Sequence, residues 1–198
     1  MSGETKKPYH HGDLRDALLN AAEDALADLP LEKVSLREIA RRAGVSHAAP
    51  KHHFATVGEL YGELAGRGFE RFVTALDEAA GRGNDQSAAA RLQDMSRAYV
   101  RFAQGNRATY GLMFGKRAGV ERTPRMMHAA FAAWQQLERE VIALAGPQRA
   151  PTGALMVWSA CHGFSMLLLD QATPPHIDPD QAVEAITRLV IAGLQSDT

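Results

Sequence analysis

Residues 35–54 read SLREIARRAGVSHAAPKHHF, and this stretch restricts the fold more than any other part of the chain. Ser35 and Glu38 stand at the spacing of a capping box. There the serine hydroxyl satisfies one free backbone N–H and the glutamate reaches back to another. Ile39 and Ala40 supply an inward-facing apolar pair. Gly44 suits the left-handed residue just past a helix end, so the helix is short. Ser46 or His47 can cap a second short helix ending near Phe54. Pro50 falls in or beside its first turn, where few N–H groups have partners anyway. Two short helices joined at a tight glycine turn, with small Ala43 allowing close approach, make a helix-turn-helix, whose second helix enters the DNA major groove. The same residues also suit a plain helical hairpin with a solvated basic face.

The rest of the chain is read by the same signals. Leu14, Leu18, Ala21, Ala22, Ala25 and Leu29 recur at helical spacing and Pro30 closes that helix. Thr56 with Glu59 forms a second capping box, opening a long helix to about Ala80. After the junction Gly81-Arg-Gly-Asn-Asp, helical patterns run over about Gln86–Gln104, with Asn106 capping a short piece to Phe114. A Gly/Arg-rich loop covers Gly115–Arg122. Thr123-Pro124 and Asp178-Pro179 each place a capping residue before a proline at the first helical position, starting helices to about Ala145 and Leu194. Between them Pro151 starts an apolar helix to about Ala172. Nine helices and no strand emerge, an all-α protein. Composition agrees: 34 Ala and 20 Leu stand against 10 Val and 5 Ile, and alanine and leucine favour helices where β-branched residues favour strands.

The formal net charge is −1, but its distribution matters more than its sum. Between Lys33 and His53 lie Lys33, Arg37, Arg41, Arg42 and Lys51 against the single acid Glu38, a basic face on an otherwise balanced chain. Cys161 is the one cysteine, which excludes an intrachain disulfide and suits a reducing cytoplasm. No charged-then-apolar leader opens the chain, and no uncharged apolar run reaches the ~18 residues of a membrane span. Catalytic and metal readings find no support. Cys161 and His162, as helix neighbours, point about 100° apart, and no HExxH or paired-cysteine pattern is present. No enzyme, metal or cofactor is expected.

In the second short helix His47, Ala48 and Ala49 are small or polar enough to approach base edges. Lys51 can reach guanine acceptors or a phosphate. An N-terminal helix, then LREIARRAGVS, a short helix ending in HHF and a capped long helix together resemble the TetR family of bacterial transcriptional regulators. The opening YHHGDLRDALLNAA and the phrase VSHAAP look like the subgroup whose C-terminal domain carries a Trp-His-Gly signature, matched here by Trp158, His162 and Gly163.

The resemblance implies a helix-turn-helix domain over residues 1–56, ordered from about residue 9, and an effector-binding and dimerisation domain over 57–198. It further implies a cytoplasmic homodimer, paired through the last two long helices, that binds a palindromic DNA operator as a repressor. A small apolar or amphipathic effector would release it. The expected DNA contacts are Ser35 and Arg37 at phosphates, then Ser46, His47, Ala48, Ala49, Lys51 and His52, with Thr56 capping and touching backbone. Lys6, Lys7, His10 and His11 form either an arm near the minor groove or a disordered tail. Two positions depart from the family: Lys51 stands where tyrosine is common, and Val57 where lysine is common, which removes a phosphate anchor.

The C-terminal half is rich in large soft side chains. Tyr99, Phe102, Tyr110, Met113, Phe131, Trp134, Trp158 and His162 are the candidates for an effector pocket, with Phe114, Met127 and Met166 of the same kind; each also suits a plain core. His162, four residues from Trp158, reads as a ligand contact or as a hydrogen-bonded core histidine. Gly163 inside that helix suggests close packing. The other reading of the whole chain is a helical interaction module whose basic face binds an acidic protein.

Overall fold

A computed structural model describes residues 11–81, 86–115 and 119–196. Among them are eight α-helices and no strand: α1 (His11–Asp28), α2 (Leu36–Arg42), α3 (Val57–Ala80), α4 (Ala88–Gly105), α5 (Arg107–Phe114), α6 (Pro124–Ala145), α7 (Ala150–Leu169) and α8 (Pro179–Gln195). Lys6, Lys7, His10 and the side chain of His11 lie outside the described residues, as does the start of order near residue 9.

The ninth expected helix, after the glycine turn, is a 3₁₀ segment over Ala49–His52. Its bonds run three residues back, from Ala49 N–H to the Ser46 carbonyl and from Lys51 N–H to the Ala48 carbonyl. Pro50 explains this: an α-helix starting at Ser46 would need the N–H that proline lacks. Gly44 is left-handed at φ 68° as expected. Val45 N–H reaches the Ala40 carbonyl and Gly44 N–H the Arg41 carbonyl, closing α2 in a Schellman motif. The Ser35 hydroxyl accepts from Glu38 N–H. Glu38 does not reach back, because its carboxylate is taken by Arg41 and Arg42.

Leu18, Leu19, Ala22 and Ala25 of α1, Ile39 of α2, Phe54, and Leu60 and Leu64 of α3 form the buried centre of the N-terminal unit. The Tyr61 hydroxyl ties α3 to the Leu31 and Val34 carbonyls. α3 then continues, packing on α4, α5 and α6. Asn106 does not cap α5; its side-chain amide donates back to the Phe102 carbonyl. α7 ends three residues before the expected Ala172, because Gln171 adopts a left-handed conformation and Ala172 N–H closes on the Leu167 carbonyl.

α7 also overturns one expectation. Its twenty residues lack acidic and basic side chains apart from His162 and are long and apolar enough to cross a membrane. Its Ala154, Val157, Cys161 and Phe164 side is buried within the bundle, as in a core helix. Gly163 is not held by packing in the subunit. It is exposed, and a Cβ there would meet nothing within 4 Å.

Candidate nucleic-acid interface and ligand cavity

Ser46, His47, Ala48, Lys51 and His52 are exposed on one element, and Ser35 and Arg37 are exposed in the neighbouring first turn of α2. Buried Pro50 and half-buried Ala49 anchor the element from behind. Because 3₁₀ residues three apart align, Ala48 and Lys51 share a face. The basic charge available is narrower than the composition implies. Arg41 and Arg42 both bond Glu38, at 2.6–2.9 Å, and hold its carboxyl down at about 2. Arg42 also binds Asp28 at 2.8 Å. Arg37 and Lys51 have no partner among the described residues, so their charge faces outward.

Thr56 caps α3 as expected, but its hydroxyl has a second, unforeseen partner. Its side-chain oxygen accepts from Glu59 N–H at 2.9 Å, capping α3, while its hydroxyl proton goes to the Glu121 carboxylate. Glu121 N–H donates in turn to the Gly58 carbonyl at 3.0 Å. The segment Gly119–Thr123 therefore lies directly on the start of α3, in a groove lined by Gly58, Gly62 and Gly66. A Cβ on Gly58 would stand 2.1 Å from the Gly119 carbonyl oxygen, and one on Gly62 2.1 Å from that of Glu121. One turn on, Gly66 admits Arg125 and the start of α6 in the same way. Sequence reading missed Glu121. The visible signal was the four-residue spacing of the three glycines, which marks a helix face meant for close backbone contact.

Behind this segment lies a cavity of about 470 Å³ between α3, α4, α6 and α7, within the range usual for small-ligand sites. Of the candidates, Tyr99, Met113, Phe131, Trp134 and Trp158 line it, with Phe114 and Met127. So do Phe69, Phe72 and Leu76 of α3, Met95 and Ser96 of α4, and Cys161 of α7. Arg122 lines it from the loop. The α3 residues recur at core spacing and so read as plain core; a loop arginine carries no sequence signal of what it faces.

Phe102, Tyr110 and His162 do not line this cavity. Phe102 packs edge-on against Phe72, 5.1 Å between centroids. Tyr110 and His162 belong to a polar chain behind the wall. Trp158 Nε1–H donates to the Tyr99 hydroxyl at 3.2 Å. The two tyrosine hydroxyls are 3.1 Å apart, and that of Tyr110 lies 2.7 Å from His162 Nδ1. Burial pushes both phenols up, Tyr110 to about 12, and holds the imidazole below its usual range. Burial thus favours the neutral imidazole, whose Nδ1 lies within hydrogen-bond reach of both tyrosine hydroxyls.

A family described as "Bacterial regulatory proteins, tetR family" matches residues 18–64. A "Tetracyclin repressor-like, C-terminal domain" matches residues 92–190, half of the chain. The chain belongs to the TetR family. A solved protein of unknown function from Rhodococcus sp. RHA1 is 33% identical, with a TM-score of 0.82 over 96% of this chain and 100% of its own. A TetR-family regulatory protein from Rhodococcus RHA1 shares the fold at 19% identity and TM-score 0.66, covering 93% of this chain and 98% of that one. The multidrug-binding protein EbrR, solved with imidazole, shares it at 22% and 0.58, covering 92% and 96%. No curated protein sequence matches the chain.

As a TetR-family member the chain is a DNA-binding transcriptional regulator with a helical C-terminal ligand-binding domain. Two of its positions take on meaning against the family pattern. Lys51 stands exposed in place of the common tyrosine. Val57, in place of the common lysine, is half-buried in the first turn of α3. The Glu121 carboxylate lies beside it, on the Thr56 cap.

Proposed function

We propose that this TetR-family regulator is a cytoplasmic, non-enzymatic repressor that binds a palindromic operator as a homodimer and lets go when a small molecule fills the cavity. The DNA-reading unit covers residues 1–56 and the effector and dimerisation unit 57–198. Ser35 and Arg37 take phosphates. Ser46, His47, Ala48, Lys51 and His52 face the groove with half-buried Ala49 behind them, and Thr56 approaches backbone once Glu121 moves aside. The observation that carries this reading is the seating of Gly119–Thr123 on the glycine face of α3. One end of the segment lines the cavity through Arg122, and its middle grips the cap residue that ends the DNA-reading unit. A ligand that shifts α6 therefore shifts the start of α3, and with it the reading element, biasing the pair of subunits away from the operator spacing.

Support for the homodimer comes from the outer side of the last two helices. Leu155, Met156, Met166 and Leu167 of α7 and Leu189 of α8 are exposed apolar side chains, the kind a partner subunit covers. Gly163, open to solvent on α7, lets a partner helix approach closely.

Selection of duplexes from a random pool tests the function. The expected winner is a palindrome whose half-sites lie one helical turn apart, about 34–36 Å, bound by two subunits with affinity falling steeply in salt. Salt-dependent binding without sequence preference would overturn it in favour of a basic interaction module for acidic proteins.

A further inference from the structure

We propose that the ligand of this cavity is an amphipathic anion, an apolar body with a carboxylate or equivalent acidic head held by Arg122. This rests on the reading of the cavity as the effector site and names the class of molecule it takes.

The described arginines are almost all engaged. Among the described residues each has a carboxylate or carbonyl partner, with two exceptions. Arg67 holds Asp16, Arg71 Glu23, Arg91 Glu140, Arg97 Asp94 and Glu184, and Arg101 Asp180. Arg125, three positions from Arg122, holds Glu70 in a two-pronged pair of 2.6 and 2.7 Å. Arg15, Arg41, Arg42, Arg139 and Arg188 are likewise paired with carboxylates. Arg107 and Arg149 bond backbone carbonyls. The exceptions are Arg37, on the face assigned to DNA phosphates, and Arg122, on the wall of the cavity.

Among the described residues, Arg122 is also the one charged side chain lining the cavity. Its neighbour Glu121 does not neutralise it, because that carboxylate is turned onto Thr56. The remaining described wall is aromatic and aliphatic, with Ser96 and Cys161 as its small polar residues. Exposed Met127 and Phe131 stand at the mouth with exposed Arg122, and buried Met95 and Cys161 at the floor. An apolar chain or ring fills the interior by ordinary desolvation. An acidic head then comes to rest at the mouth, where the guanidinium offers two parallel N–H donors matching a carboxylate. A cationic ligand would meet a like charge and, among the described lining residues, no carboxylate. A neutral one would leave the guanidinium unused.

The cavity reports its own occupancy, since both tryptophans of the chain, Trp134 and Trp158, line it. Intrinsic fluorescence of the full-length protein is titrated with decanoate, decanol and decyltrimethylammonium, each below its micelle concentration. Decanoate is expected to bind roughly tenfold or more tighter than either of the others, the scale of a charge-assisted bidentate contact. Arg122→Gln removes an exposed side chain with no partner among the described residues. It should bring decanoate to the affinity of decanol while leaving decanol unchanged. Equal affinities for decanoate and decanol in the unaltered protein, or a preference that survives R122Q, would overturn the acidic ligand while leaving the cavity as a site. No tryptophan response to any of the three would overturn the effector site itself, and the proposal with it.

Discussion

The hydroxyl of Thr56 donates to the carboxylate of Glu121, joining positions 65 apart in the chain at the first turn of α3. A helix N-terminus carries partial positive charge and favours an anion. In this fold the anion is the protein's own, held where the family commonly places a lysine and where a DNA phosphate would approach. On the proposed function, Glu121 would compete with a phosphate for this backbone contact, and its release would accompany operator binding.

Glu121→Gln should therefore tighten operator binding by roughly 2- to 5-fold at low salt, the scale of one charge at a helix end. The gain should shrink as salt screens it. Fluorescence anisotropy with the selected duplex reads this directly. Unchanged or weaker binding by E121Q would show that the carboxylate does not stand in the phosphate's way.

On the reading face, Arg37→Ala and Lys51→Ala each remove a cation with no partner among the described residues. If R37A loses a phosphate contact, affinity should fall about equally for operator and random duplex, and the slope of log K against log salt should drop by about 1. If Lys51 reads a base, K51A should weaken the operator by ~1–3 kcal/mol and spare random DNA. Identical behaviour of the two variants would remove the distinction.

The glycine groove predicts a contrast between two alanine variants. Gly62→Ala puts a Cβ 2.1 Å from the Glu121 carbonyl oxygen, so loop and helix must separate at a cost of about 1–3 kcal/mol. Gly111→Ala meets nothing within 4 Å on α5 and should gain up to about 1 kcal/mol from helix propensity. Urea unfolding measures both. A stabilised G62A would contradict the seating of the loop.

Acid should weaken the fold through His162. Burial lowers its pKa below the ordinary 6.5, so the unfolded chain takes up that proton before the folded one. This contribution is fully present above about pH 6.5 and is lost as pH falls from there through the folded value. Protonation would also leave Nδ1 only as a donor toward the Tyr110 hydroxyl. His162→Gln should unfold more easily at pH 8 yet lose less between pH 7 and pH 5 in thermal melts. Parallel pH profiles for the two proteins would remove His162 as the cause.

For the outer face of α7 and α8, Leu167→Glu and Leu189→Glu replace side chains 50% and 76% exposed in the subunit, so neither should disturb its core. Each should shift the mass in solution from two chains to one and abolish high-affinity operator binding. Two chains in both variants would place the partner elsewhere.

Local chemistry carried much of this protein in its sequence. The Ser35 cap and the left-handed Gly44 mark both ends of α2. Thr123 and Asp178 mark the starts of α6 and α8, because a cap is decided within four residues of chain. The excess of alanine and leucine was enough for the helical class. Tertiary structure decided the rest, wherever the partner is distant. Glu38 turned from its own helix start to two arginines. His162 became one link of a buried polar chain with Tyr99, Tyr110 and Trp158. Gly163 proved open and Gly62 closed, a difference no helical period records. Glu121 and Arg122, adjacent in an unremarkable loop, face a helix cap and a cavity, because only the packing of α6 on α3 fixes which way each side chain points.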